Sequence, residues 1–87
     1  MIIVLLKSLI KEKEIAMSEW IDNFESSNVK RFRYDGAQQT LTVEFNSGSR
    51  YNYYDVPQHI FEGMKSADSK GTYLNAKIKG IYRYSRL

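Results

Sequence analysis

Between Asn28 and Val56 the side chains change character at almost every step, and two turn signals cut that run into three. "NVKRFRYD" sets Val29, Arg31 and Arg33 against Lys30, Phe32 and Tyr34. "TLTVEF" sets Leu41, Val43 and Phe45 against Thr40, Thr42 and Glu44, and "RYNYYDV" sets Tyr51 and Tyr53 against Arg50, Asn52 and Tyr54. A period of two places alternate side chains on opposite faces of a strand, so each segment reads as a half-buried strand. Asp35-Gly36 and "NSGS" are turn sequences, with Gly48 supplying a positive φ. Connections this short join antiparallel neighbours. A three-stranded meander is therefore the predicted centre of the fold.

Pro57 suits the first turn of a helix, where its missing N–H costs nothing. "PQHIFEGMKSA" follows, with Ile60, Phe61 and Met64 on one face. Gly63 weakens that helix by roughly 1 kcal/mol relative to Ala, so it is expected to be short. Gly71 in "DSKG" reads as its C-terminal stop. "TYLNAKIKG" is ambiguous, Tyr73, Leu74 and Ile78 being able to form a helical turn, and "IYRYSRL" alternates again as a closing strand. Upstream, "SEWIDNFE" places Trp20, Ile21 and Phe24 on one helical face behind an N-cap at Ser18, with Glu19 and Asp22 suiting the positive helix end. In "MIIVLLKSLIKEKEIA", Ile2, Leu5, Leu6, Leu9 and Ile10 recur at helical spacing. That segment could dock on the domain, pair with a second copy, or stand upstream of a second start at Met17-Ser18. The expected fold class is α+β: a small antiparallel sheet, made of the meander plus a C-terminal strand, covered by a short helix and preceded by an N-terminal helix. Residues 1–25 read as a helical extension and residues 26–87 as the α+β domain.

At 87 residues the chain supports one modest core. It has no cysteine, which removes disulfides, thiolate metal sites and a cysteine nucleophile, and fits a reducing cytosol. Its one histidine, His59, has only Glu62 as a carboxylate near in sequence, and no Asp, Glu and His cluster suggests a metal. No glycine-rich phosphate loop is present. The reading is a non-enzymatic protein without metal or cofactor. The run "MIIVLLKSLI" is broken by Lys7 and falls short of the ~20 apolar residues of a spanning helix. It lacks a basic leader and a cleavage site, so a cytoplasmic protein with no membrane segment is expected.

The net charge of +3 is uneven. Residues 1–28 carry three Lys against five acids, whereas residues 29–87 carry ten Lys or Arg against five. From Ser69 to Leu87 there is no acid at all. A basic body favours anionic partners, although net charge also serves solubility. The recurring local pattern is aromatic beside basic: "KRFRY", "RYNYY", "IYRYSR". Tyrosine rings can stack on bases while arginines meet phosphates. Candidate ligand contacts are Arg31, Arg33, Arg50, Tyr51, Tyr53, Tyr54, Lys77 and Arg83. The competing reading packs the tyrosines in the core with their hydroxyls at the edge. Tyr51 and Tyr53 suit a wall between sheet and helix, and Arg50, Tyr54 and the basic tail an outward surface. Ser69-Lys70-Gly71 admits two readings, an anion held by free N–H groups beside Lys70 or a plain helix stop.

"SSNVKRFRYD", "LTVEFNSGSRYNYYDVP", "SADSKGTYLNAKIKG" and "YRY" together resemble the KTSC domain, a family of small bacterial and phage domains named for the C-terminal region of some lysyl-tRNA synthetases. Its central Tyr-x-Tyr is matched by Tyr51-Asn52-Tyr53 and its Val-Pro by Val56-Pro57. Its Ser-x-Gly-x-Tyr-x-Asn is matched by Ser69, Gly71, Tyr73 and Asn75. The resemblance covers about residues 26–87 and adds Tyr73 and Asn75 to Lys70 and Gly71 as candidate contacts. Attachment to a synthetase implies RNA binding, and occurrence in phages implies an inhibitor or scavenger of a host molecule. Three functions follow as expectations. The first is non-catalytic binding of RNA or a nucleotide through a basic, tyrosine-rich surface. The second is a phage-encoded inhibitor sequestering a host nucleotide signal in anti-phage defence, in the host cytoplasm. The third is a protein–protein adaptor using Trp20, Phe24 and the apolar N-terminal stripe. The expected partners are an anionic ligand and, through residues 1–25, further copies of the chain.

Overall fold

The computed structural model describes residues 18–87; the helix expected for residues 1–16 lies outside the described residues. Three strands come first: β1 (Val29–Asp35), β2 (Thr40–Phe45) and β3 (Arg50–Tyr53). Two helices follow, α1 (Gln58–Ser66) and α2 (Lys70–Lys77), and β4 (Tyr84–Arg86) closes the chain. The sheet is antiparallel in the order β1-β2-β3-β4. The expected α+β architecture is the observed one, with a second helix where the sequence was ambiguous.

Register fixes the faces. Tyr34 pairs with Leu41, Leu41 with Tyr53 and Tyr53 with Tyr84. Directly opposed residues share a face, so this row points to one side. Phe32, Val43 and Tyr51 form the next row. The helices cover this side: Phe61 stacks on Tyr34 with ring centres 4.7 Å apart and meets Phe32 edge-on at 6.0 Å. Phe32, Leu41, Val43, Val56, Met64, Leu74 and Ile78 are fully buried, and their burial is the main favourable contribution to folding. The Tyr34 hydroxyl is buried too, and donates to the Val56 carbonyl at 2.5 Å. Burial, followed by the charge of Asp35, raises the Tyr34 pKa.

Three local readings are corrected. "SEWIDNFE" forms no helix. Ser18 exchanges hydrogen bonds with Tyr34, and Ile21 with Phe32, so the segment runs along the outer edge of β1. Trp20, Ile21 and Phe24 satisfy helical spacing, but the unpaired N–H and C=O groups of β1 offer extended chain a better partnership. Gly71 does not stop a helix. It lies buried in the first turn of α2, where the Ser69 hydroxyl accepts from Thr72 N–H as the N-cap. The third correction concerns the end of β3, expected to run to Val56. It stops at Tyr53 because Asp55 turns the chain with φ 58°. Gly48 holds the expected positive φ, 94°.

Candidate functional site

The helices leave part of their side of the sheet open. Beside the β2–β3 turn lies a groove of about 680 Å³ walled by Phe45, Tyr51, Tyr53 and Tyr84, with Lys79 and Asn46 at its margin. Adjacent strands bring the rings together. Tyr51 meets Phe45 edge-on at 5.5 Å, and lies 6.3 Å from Tyr53 and 5.7 Å from Tyr84. Tyr53 lies 6.1 Å from Tyr84. Tyr53 forms the buried floor, Tyr51 is half-buried and Tyr84 is 59% exposed. Burial, then the neighbouring Tyr51 and Tyr84, raises the Tyr53 pKa. Among the described residues, the groove lining contains no Asp or Glu. Lys79 contributes a cation, and the Arg86 guanidinium lies 6.0 Å from the Tyr51 ring while donating to the Ser49 hydroxyl at 3.0 Å. Such a groove can stack a flat ring and attract its negative charge.

The opposite face carries most of the sequence-predicted cations. Trp20 lies among three guanidinium groups, Arg31 at 4.1 Å, Arg33 at 4.6 Å and Arg50 at 5.6 Å from the ring. Cross-strand register explains the cluster, since Glu44 on β2 stands opposite Arg31 on β1 and Arg50 on β3. Glu44 Oε1 accepts from Arg50 Nε at 2.7 Å and from Arg31 at 3.1 Å, and Lys30 Nζ lies 3.5 Å from Oε2. These bonds, Arg50 first and Arg31 second, hold the Glu44 pKa down to about 2. Much of the local positive charge is thus spent on one carboxylate. Tyr54 also faces this side; its hydroxyl is 2.5 Å from that of Ser85, and Arg83 lies over its ring at 4.7 Å. Arg83 reaches Asp55 at 3.4 Å.

The remaining candidates lie on α2. Lys70 is 8% exposed, and its ammonium donates to the carbonyls of Lys65 and Ala67 at 2.9 and 2.6 Å. The amine satisfies the last carbonyls of α1 and so is committed to the fold. Gly71 lets α2 approach Asn28, the residue before β1, because a Cβ there would strike the Asn28 carboxamide. Tyr73 donates to the Ile60 carbonyl at 2.9 Å, tying the helices together, and burial then Tyr82 raises its pKa. Asn75 and Lys77 are exposed.

The twelve candidates therefore fall into three places. Tyr51 and Tyr53 face the groove; Arg31, Arg33, Arg50, Tyr54 and Arg83 face the other side; Lys70, Gly71, Tyr73, Asn75 and Lys77 lie on α2. Sequence reasoning missed Phe45, Tyr84, Lys79 and Arg86 as groove residues. The alternation of "IYRYSR" signalled a strand, but only its pairing with β3 sets Tyr84 beside Tyr53. Among the described residues, no His, Cys, Asp and Glu group is arranged to hold a metal ion, and no helix is long and apolar enough to cross a membrane.

Residues 25–84 match the family model described as the KTSC domain. The chain is 46% identical over 63 residues to a lysine–tRNA ligase of Trichormus variabilis, covering 72% of this chain and 11% of that protein. It thus spans about a ninth of the length of the curated lysine–tRNA ligases it matches. A Stutzerimonas stutzeri protein is 41% identical over 64 residues, covering 72% of this chain and 90% of its own length. The crystal structure of a KTSC domain protein from Yersinia pestis superposes with a TM-score of 0.76 at 28% identity, covering 83% of this chain and 99% of that one.

Proposed function

The chain belongs to the KTSC domain family, and on that premise we propose that it is a non-catalytic binding domain for RNA or a nucleotide, working in the cytoplasm. The observation that carries this reading is the groove whose wall is four aromatic rings, with no acid among its described lining residues, Lys79 at its margin and Arg86 beside Tyr51. A base stacks on Tyr51 and Tyr84, and its phosphate is met by Lys79 and Arg86. Lysine–tRNA ligases that carry a matching segment act on a tRNA, which supports RNA as the ligand. The groove volume of about 680 Å³ lies in the range of small-molecule sites, which supports a nucleotide or one or two bases of a strand, and with it the sequestration of a nucleotide signal.

Titration of single-stranded RNA oligonucleotides and of free nucleotides against the full chain tests this. Base stacking contributes roughly 1–3 kcal/mol per base, so Tyr84→Ala is expected to weaken binding by about 5- to 150-fold. Equal affinity of Tyr84→Ala and the native chain for every ligand bound removes the groove from the account.

A further inference from the structure

The two edges of the sheet are treated differently. Ser18 to Ile21 runs along the edge of β1, while among the described residues β4 pairs with β3 alone. Among the described residues, the large exposed hydrophobic side chains gather at the β4 end: Ile81 is 62%, Tyr84 59% and Leu87 66% exposed. We propose that the outer edge of β4 is an interface with a second copy of this chain, the two strands pairing antiparallel about Ser85.

Register makes β4 self-complementary. Tyr54 N–H donates to the Arg83 carbonyl and Leu87 N–H to the Arg50 carbonyl, with Ser85 opposite Asn52 between them. Hydrogen-bonded and non-bonded pairs alternate in an antiparallel ladder. The backbone groups of Ser85 therefore point at β3, and those of Tyr84 and Arg86 point outward. A two-fold axis at Ser85 sets Tyr84 of each copy opposite Arg86 of the other. Each outward N–H and C=O then finds a partner, four hydrogen bonds in all. Tyr84 and Arg86 share the groove face, so each pair also brings a guanidinium to a phenol ring. Ser85 meets its own copy at the close, non-bonded position, where a small side chain fits. The pairing sets the two tyrosine grooves side by side on one continuous face.

The chain has no cysteine, so single cysteines report the register cleanly. Sedimentation velocity is expected to show twice the chain mass for the native protein and the single mass for Arg86→Pro, which removes an outward N–H and leaves the β3 bonds in place. Under mild oxidation Ser85→Cys is expected to give a disulfide-linked dimer as its main product. Tyr84→Cys and Arg86→Cys are expected to form no disulfide link between copies, because neither residue opposes itself. Should Arg86→Pro fail to fold, the cysteine series decides alone. A native chain that sediments as a monomer, or a dimer that cross-links at all three positions alike or at none, overturns the proposal whatever the groove binds.

Discussion

The phenol of Tyr73 on α2 occupies the space where a side chain on Gly63 of α1 would begin. A Cβ built on Gly63 would fall within the contact distance of the Tyr73 hydroxyl and 2.8 Å from ring Cζ. The ring is also tied by its hydrogen bond to the Ile60 carbonyl, so it has little freedom to withdraw. Helix propensity alone favours Gly63→Ala by about 1 kcal/mol. Overpacking of this kind costs roughly 1–3 kcal/mol, so Gly63→Ala is expected to lower the thermal midpoint. A raised midpoint would show that α1 and α2 do not meet here.

Lys70 gives a second stability prediction and separates two roles. Its bonds to the Lys65 carbonyl of α1 and to the Ala67 carbonyl that follows the helix come from a charged donor, each contributing roughly 1.5–3 kcal/mol. Lys70→Met removes both bonds and is expected to destabilise the fold by roughly 3 kcal/mol, the low end for the two together, while leaving ligand affinity unchanged at temperatures where the variant is folded. Unchanged stability with lost affinity would restore the anion-binding reading of Ser69-Lys70-Gly71.

Glu44 sets an acid dependence. Its folded pKa, about 2, lies below the ordinary carboxylate value of 4.5. A depressed pKa contributes stability that is present above the unfolded value and is lost as pH falls through the folded one. Stability is therefore expected to decline between about pH 4.5 and 2, and Glu44→Gln to flatten that part of the profile. Denaturant midpoints that fall equally in both proteins would assign the acid loss to other groups.

Tyr53 sets the alkaline counterpart. Its pKa is raised above 10.0, so deprotonation favours the unfolded chain as pH climbs past 10.0. Absorbance titration is expected to show one phenol fewer ionising near 10 in Tyr53→Phe only after unfolding, and not in the folded protein. Loss of a normal, early phenol from the folded titration would place Tyr53 in water.

Trp20 is the single tryptophan and stands on the face opposite the groove, so its emission distinguishes the two surfaces. Ligand in the groove is expected to leave Trp20 emission unshifted, while Arg33→Ala shifts it by uncovering the indole. For a single-stranded RNA, Lys79→Gln is expected to reduce the slope of log affinity against log salt by about 0.7, one phosphate contact. A ligand-induced Trp20 shift with an unchanged slope would move the binding surface to the arginine face.

How much of this was legible follows from what each signal encodes. Alternation is a local property, and it gave "NVKRFRYD", "TLTVEF" and "RYNYYDV" as strands and the two turns between them, though it ran the last of these on to Val56, past Tyr53, where β3 ends. It also separated the Tyr51 and Tyr53 face from that of Arg50 and Tyr54, because successive side chains on a strand must diverge. The path of "SEWIDNFE" was not legible. Its spacing suits a helix, and what overrules it is the unpaired edge of β1, formed by residues far along the chain. Gly71 likewise reads as a stop until Ser69 is seen capping a new helix packed on Asn28.

By itself the sequence determined a small basic α+β domain of one core, without cysteine chemistry, rich in tyrosine beside arginine. Only tertiary structure decided where those tyrosines and arginines go. Strand register sets Tyr84 and Tyr53 on one face and draws Arg31 and Arg50 to Glu44 on the other, and register depends on contacts between segments that no local pattern contains. The same long-range packing turned Lys70 inward and, among the described residues, left β4 paired on one side alone.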